Sequence, residues 1–393
     1  MNLPFNTDVI ATIFNEDATF LDLLALVLAL AVFWFVIFAI AAAIIKPLVM
    51  GKPWLIAAGE RDYDRGGKEL WENIGAPKTK AEFVVSFMDL WAWNQTLAIQ
   101  HLIGGAVCLP AIIPGHMGLD PSVAASLACL GILSEMGWEI EDQLTWIYKR
   151  FFTKGGKEKV PDALLIVLGI HHSMTTILGL PMVLNYRDLP TLHWLCFDLQ
   201  AAAAMSLMVT EYTKLLDITK PNQLRQFQSL TFFGLAVMIL TRGFHWVYLS
   251  GSLLVMWYQE GRWGFLFVGT IISVLFSLFN YGFCIEPYYK RFVKFMKVSA
   301  EYNQLPADAP ARDRRASVIN LEAAAAAVLK RNNIEEELVA SLFEDRKVNR
   351  RATLPPSAFS GNKGGKRSSM LLLRSSMGDV AHLLSQLDTI KED

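Results

Sequence analysis

Long apolar runs alternate with short polar connectors along this chain, and run length sets the first expectation. A bilayer's hydrocarbon core asks for about 20 mostly apolar residues per helical crossing. The first run, 20–45, contains LDLLALVLALAVFWFVIFAIAAAII and carries no charge after Asp22. It is apolar on every side, so it is expected to face lipid as an anchor. Six further runs follow at about 83–109, 122–148, 163–184, 191–213, 229–249 and 263–283. Their connectors, such as PGHMGLDP and NYRDLP, hold the Pro, Gly, Asn and Asp that turns favour. The predicted fold class is therefore all-α: a polytopic membrane protein of about seven transmembrane helices, one anchor plus a six-helix bundle.

The same pattern divides the chain. Residues 1–19 are read as a luminal N-terminus, 20–45 as the anchor, 46–82 as a cytosolic connector, 83–290 as the six-helix core and 291–393 as a cytosolic tail. The tail is polar and punctuated by Pro306, Pro310 and Pro355-Pro356, so it reads as mostly disordered. Two stretches in it, 318–342 and 377–390, have weak helical patterning. Arg-Arg-Ala-Ser (314–317), Arg-Arg-Ala-Thr (350–353) and Lys-Arg-Ser-Ser (366–369) suit basic-directed kinases. A phosphate there would weaken attraction to anionic lipid; the plain alternative is a solvated tail with chance matches.

Composition narrows the class. Hydrophobic residues make up 53% of the 393, with 24 Phe and 11 Trp, against 19% charged, as expected of a membrane protein. A net charge of −1 gives no global field for nucleic acid. Cys108, Cys129, Cys196 and Cys284 all fall in apolar segments without CxxC spacing, so neither a disulfide framework nor structural zinc is expected. The acidic N-terminus lacks the basic region of a cleaved signal peptide, which favours an uncleaved anchor.

Loop charge orients the bundle. Alternate connectors collect the basic residues: Lys46 to Lys80, Lys149 to Lys159, Lys214 to Arg225 and Lys290 to Lys297. The other connectors hold essentially Arg187 and Arg262. The positive-inside rule then places the N-terminus in the lumen or outside and the C-terminus in the cytosol.

Polar residues at membrane depth are costly and are functional-site hypotheses by default. His171 and His172 lie in the fourth run and Asp198 in the fifth. His101 stands in the second, Glu135, Glu139, Glu141 and Asp142 in the third, and Arg242 and His245 in the sixth. The six core spans are thus expected to ring a polar chamber. Each residue has a plainer reading. Glu139, Glu141 and Asp142 would sit at the interface, and His116, His193 and Glu211 would be wet at span ends. His101 and His245 would be hydrogen-bonded bundle histidines, and Arg242 would snorkel if near an end. Adjacent helical positions point about 100° apart, which argues against one metal ion shared by His171 and His172. A general base or nucleophile oriented by Asp198 fits the pair better, so His171, His172 and Asp198 are the candidate catalytic set.

HHSMTT (171–176), then Asn185, then Asp198 twenty-seven residues after His171, resembles the Lag motif of the TLC family, which includes ceramide synthases. LTRGFHWVYL (240–249), GWEIED (137–142) and NQTLAIQH (94–101) are similar to further family segments, covering about 83–290. The resemblance implies that His101, Asp142, Asn185 and Arg242 bind substrate. It implies acyl transfer from acyl-CoA to a sphingoid base or related lipid, in the endoplasmic reticulum, with no tightly bound cofactor. A lipid-binding protein that keeps the chamber without the chemistry is the alternative. The chain also faintly resembles ELO-type elongases in its histidine pair and in QLRQF (223–227), but Leu168 stands where their first histidine belongs. Expected partners are membrane lipid and kinases on the tail; a homodimer is left open.

Overall fold

The computed structural model describes residues 18–64, 79–153, 156, 160 and 162–304. The kinase motifs and the weakly helical tail stretches lie outside these residues. Among the described residues, seven helical spans are long and apolar enough to cross a membrane, and there is no strand.

Helix α1 is Phe20–Val49 and α2 is the short Pro53–Asp62. Helices α3 (Lys80–Ile112), α4 (Pro121–Phe152), α5 (Asp162–Tyr186) and α6 (Pro190–Leu215) follow. The sixth span is α7 (Pro221–Met238), a π turn at Ile239–His245, and α8 (Trp246–Gln259). The seventh is α9 (Trp263–Phe279), a π turn at Asn280–Ile285, and α10 (Glu286–Gln304). The last helix therefore continues past the expected start of the tail at 291.

Two acids near the starts of apolar runs, Asp22 and Glu82, cap helices. The Thr19 hydroxyl accepts the Asp22 N–H at 3.3 Å, and Asp22 Oδ2 accepts the Thr19 N–H at 2.9 Å. Thr79 and Glu82 repeat this capping box, which starts α3 at Lys80 rather than at 83. Each pair satisfies donors that a helix start leaves open.

Small residues set the closest helix approach. The most extensive packing is α3 on α6, where a β-carbon on Gly104 would stand 1.4 Å from Gln200 Oε1. Gly105 lies against the backbone of Ala201, and Ala202 and Ala204 are fully buried. Gln200 Nε2 donates to the Gly131 carbonyl of α4 at 3.1 Å, so one buried amide ties three helices.

Helix α1 departs from the expectation of an anchor bathed in lipid. One stripe (Leu23, Leu26, Val27, Ala31, Trp34 and Phe38) is buried against its neighbours, chiefly α4, while Leu28, Val32, Phe35 and Ile40 stay exposed. Two features draw it in. Gly137 of α4 lets the backbone at Leu30-Ala31 approach, and Trp34 Nε1 donates to Ser134 Oγ at 2.9 Å. An all-apolar sequence hides which face packs, because no polar positions mark the other.

The QLRQF segment opens α7 and serves the turn before it. Gln223 Oε1 accepts the Asp217 N–H at 2.6 Å, and Phe227 packs on Phe295.

Candidate functional site

The polar residues divide into two groups. The first is built on a stripe of α4, where Glu135, Glu139 and Asp142 follow the i, i+4, i+7 spacing that aligns side chains on one helix face. From α3, Gln100 Nε2 donates to Glu135 at 2.9 Å, and His101 Nδ1 stands 3.3 Å from the other Glu135 oxygen. The His101 ring meets Trp138 edge-on at 4.9 Å, and Trp138 meets His172 in the same way at 5.6 Å. His172 Nε2 lies 4.0 Å from Asp142 Oδ2, and the other Asp142 oxygen accepts Trp146 Nε1 at 3.0 Å.

Three acids on α4 are buried inside the bundle. Glu139 is 2% exposed, and Glu141 and Asp142 are 5% exposed. Glu139 bonds to the Thr175 hydroxyl of α5, but its Oε2 has no partner. His171 stacks flat on Phe279 at 4.2 Å with an interplanar angle of 5°. Despite the 100° between their attachment points, the two imidazoles lie 5.4 Å apart, centre to centre. One nitrogen of each and one oxygen of Glu139 all fall within 4.8 Å of one another. The sequence argument against a shared ion follows Cβ directions, and two side-chain torsions bring the ring atoms back together.

The second group gives Asp198 a different histidine from the expected pair. Its Oδ2 lies 2.5 Å from Nδ1 of His245, in the π turn of the sixth span. Asp198 is buried, and the His245 side chain is 35% exposed. Trp194 meets the imidazole edge-on at 5.5 Å and Tyr248 stacks beside it. Leu240, Thr241, Phe244 and Tyr248 line an open apolar recess with His245. Arg242 points inward. Its terminal nitrogens donate to the Leu199 carbonyl and reach Asn280 Oδ1 at 3.4 Å, a backbone and an amide oxygen, while its buried Nε makes no hydrogen bond. π turns recur at functional sites because the widened backbone re-aims side chains.

Several expectations change. Asn185 is exposed near the end of α5 and bonds to the Pro181 carbonyl at 2.9 Å, away from both groups. His193 and Glu211 are buried rather than wet. His193 Nε2 meets the Arg187 carbonyl at 2.6 Å, while Glu211 takes Asn94 at 2.7 Å and Lys214 at 2.5 Å. Glu135 and Glu139, which the sequence places at membrane depth but outside the candidate catalytic and substrate-binding sets, belong to the site, and their spacing with Asp142 is the signal for them. Also outside those sets is His245, the partner of Asp198.

Chemically, the Asp198–His245 dyad can hold one imidazole tautomer and leave Nε2 for proton transfer. The α4–α5 group offers a nitrogen-and-carboxylate pocket shielded from solvent. No family model matches the chain, and searches of curated proteins and of solved structures also return no match.

Proposed function

We propose that this chain is an integral membrane enzyme of lipid metabolism that transfers an acyl group from acyl-CoA to the amino group of a membrane lipid such as a sphingoid base. The observation that carries the reading is the Asp198–His245 contact beside an apolar recess. A buried carboxylate fixes the Nδ1–H tautomer, so Nε2 is the acceptor. As the amine attacks the thioester carbonyl, Nε2 takes its proton. That attack forms the C–N bond; collapse of the tetrahedral species restores the C=O bond and breaks the C–S bond, and Nε2 returns the proton to the leaving thiolate. The recess, walled by Phe244, Leu240 and Tyr248, suits an acyl chain entering from lipid. The basic connectors, read as cytosolic, would pair the phosphates of CoA, with the N-terminus luminal in the endoplasmic reticulum.

The resemblance to the Lag motif agrees with this chemistry, with the base moved from the histidine pair to His245. Purified protein in lipid nanodiscs, given acyl-CoA and a sphingoid base, should form the amide, as read by mass spectrometry. A wild-type protein that co-purifies with lipid but gives no product would instead be a lipid carrier.

A further inference from the structure

We propose that Glu139, His171 and His172 form a binding site for a divalent transition-metal ion of the zinc class, separate from the Asp198–His245 dyad. Three observations carry this. First, the donors converge: one ring nitrogen from each histidine and a Glu139 oxygen lie within 4.8 Å of one another. Tetrahedral ligation at ordinary Zn–N and Zn–O lengths needs separations of about 3.3 Å, so closure by about 1–2 Å is required. Torsions of the Glu139 side chain and the two imidazoles can supply it.

Second, the donors are buried and unspent. Glu139 Oε2, His171 Nδ1 and His172 Nδ1 are all shielded from solvent and make no hydrogen bond, though Glu139 and His172 are 2% and 5% exposed. Unpaired polar atoms at such depth cost free energy, and a metal ion would use the lone pairs on all three residues.

Third, the surroundings match a metal shell. A ligating histidine commonly directs its second nitrogen at a carboxylate, and His172 Nε2 faces Asp142 Oδ2 at 4.0 Å. Thr175 holds Glu139 from the neighbouring helix. Among the described residues, the only bases within ion-pair range of Glu135 and Asp142 are histidines, and Glu139 has none. A dication would find three carboxyl groups close by, buried Glu139 and Asp142 and part-buried Glu135. Two imidazoles and one carboxylate leave a coordination position open, as in metal centres that bind water or substrate.

The test uses the full chain, purified without a histidine tag, stripped by chelator and reloaded with Zn²⁺. Elemental analysis should then find one tightly held ion per chain, and thermal unfolding should shift upward on reloading. Glu139→Gln and His172→Gln should weaken binding by at least about tenfold, while Asp198→Asn retains it. X-ray absorption at the zinc edge of the wild-type protein should show imidazole in the first shell, which keeps the test decisive even if a variant fails to fold. Background metal after reloading, an all-oxygen shell, or undiminished binding in both folded variants would overturn the proposal. None of these readouts depends on acyl transfer.

Discussion

Asp198 and His245, 47 residues apart, meet at 2.5 Å where α6 crosses the π turn of the sixth span. The contact joins a buried acid to a half-exposed imidazole, the order in which a carboxylate orients a base rather than quenches it. Removing the base or its orienting acid should have distinguishable effects. In the nanodisc assay, His245→Ala should lower turnover by about 10²-fold or more. Asp198→Asn should lower kcat with little change in KM, since the acid acts through the imidazole. Full activity in His245→Ala would end the acyl-transfer reading as stated.

The Gly104–Gln200 approach predicts a stability contrast between two glycines. Gly104→Ala forces Gln200 off its bond to the Gly131 carbonyl and should destabilise the fold by about 1–3 kcal/mol. Gly251→Ala meets nothing within 4 Å in the same bundle and should be neutral or stabilising by up to about 1 kcal/mol. Thermal unfolding in detergent compares the two; equal effects would mean that α3 and α6 are not in close contact.

Helix α1 should behave as part of the bundle. Ser134→Ala removes the acceptor of the Trp34 indole and should cost about 1 kcal/mol. Gly137→Val should cost more, because its β-carbon would meet Leu30 Cβ at 2.7 Å and the Ala31 nitrogen at 2.9 Å. Urea or thermal melts of both variants provide the check. No loss in Gly137→Val would return α1 to the role of a detached anchor.

In the turn between α6 and α7, burial works to raise the Asp217 carboxyl, but the Thr219 hydroxyl and N–H, aided by Arg61 and Lys220, hold it below the usual carboxylate range. The Thr219 hydroxyl donates to Oδ1 at 2.6 Å. A carboxyl lowered in the folded state contributes stability above its unfolded value, and that contribution is lost as pH falls through the folded one. Asp217→Asn should therefore lower the melting temperature at pH 7 and narrow its gap from wild type as the pH is taken below about 4. A gap that stays constant with pH would refute this.

Element existence was legible because crossing a bilayer demands length and apolarity, and both are one-dimensional properties. The start of α3 at Lys80 was not read, although the Thr79–Glu82 capping box that fixes it links residues only three apart. Pairing across helices was less legible. Asp198 is closer in sequence to His172 than to His245, and only the rotation of α6 relative to its neighbours chooses between them. His193 looked wet from its place near a span end, yet the chain folds back at Arg187 and covers it. Glu139 presents the sharpest limit. Its companions Glu135 and Asp142, four residues before and three after, are visible in the sequence, but the convergence of two adjacent histidines upon it depends on side-chain torsions that no spacing rule encodes.

The π turn at Ile239–His245 also divides the loyalties of its own span. Relative to a continuous α-helix, one extra residue in the turn rotates everything beyond it by about 100°. Before the break, Leu235 and Met238 belong with Ala202, Val209 and Tyr288. After it, Trp246 joins Met174, Ile272 and Phe276, while Leu253 and Trp257 join the large cluster shared by α1, α4 and α5. Deleting a single residue from the turn would put the two halves back in phase, leaving one set of neighbours facing the wrong side of the helix. The sixth span is thus a hinge pin cut for two different locks, and its phase error is what lets a single rod close both ends of the bundle.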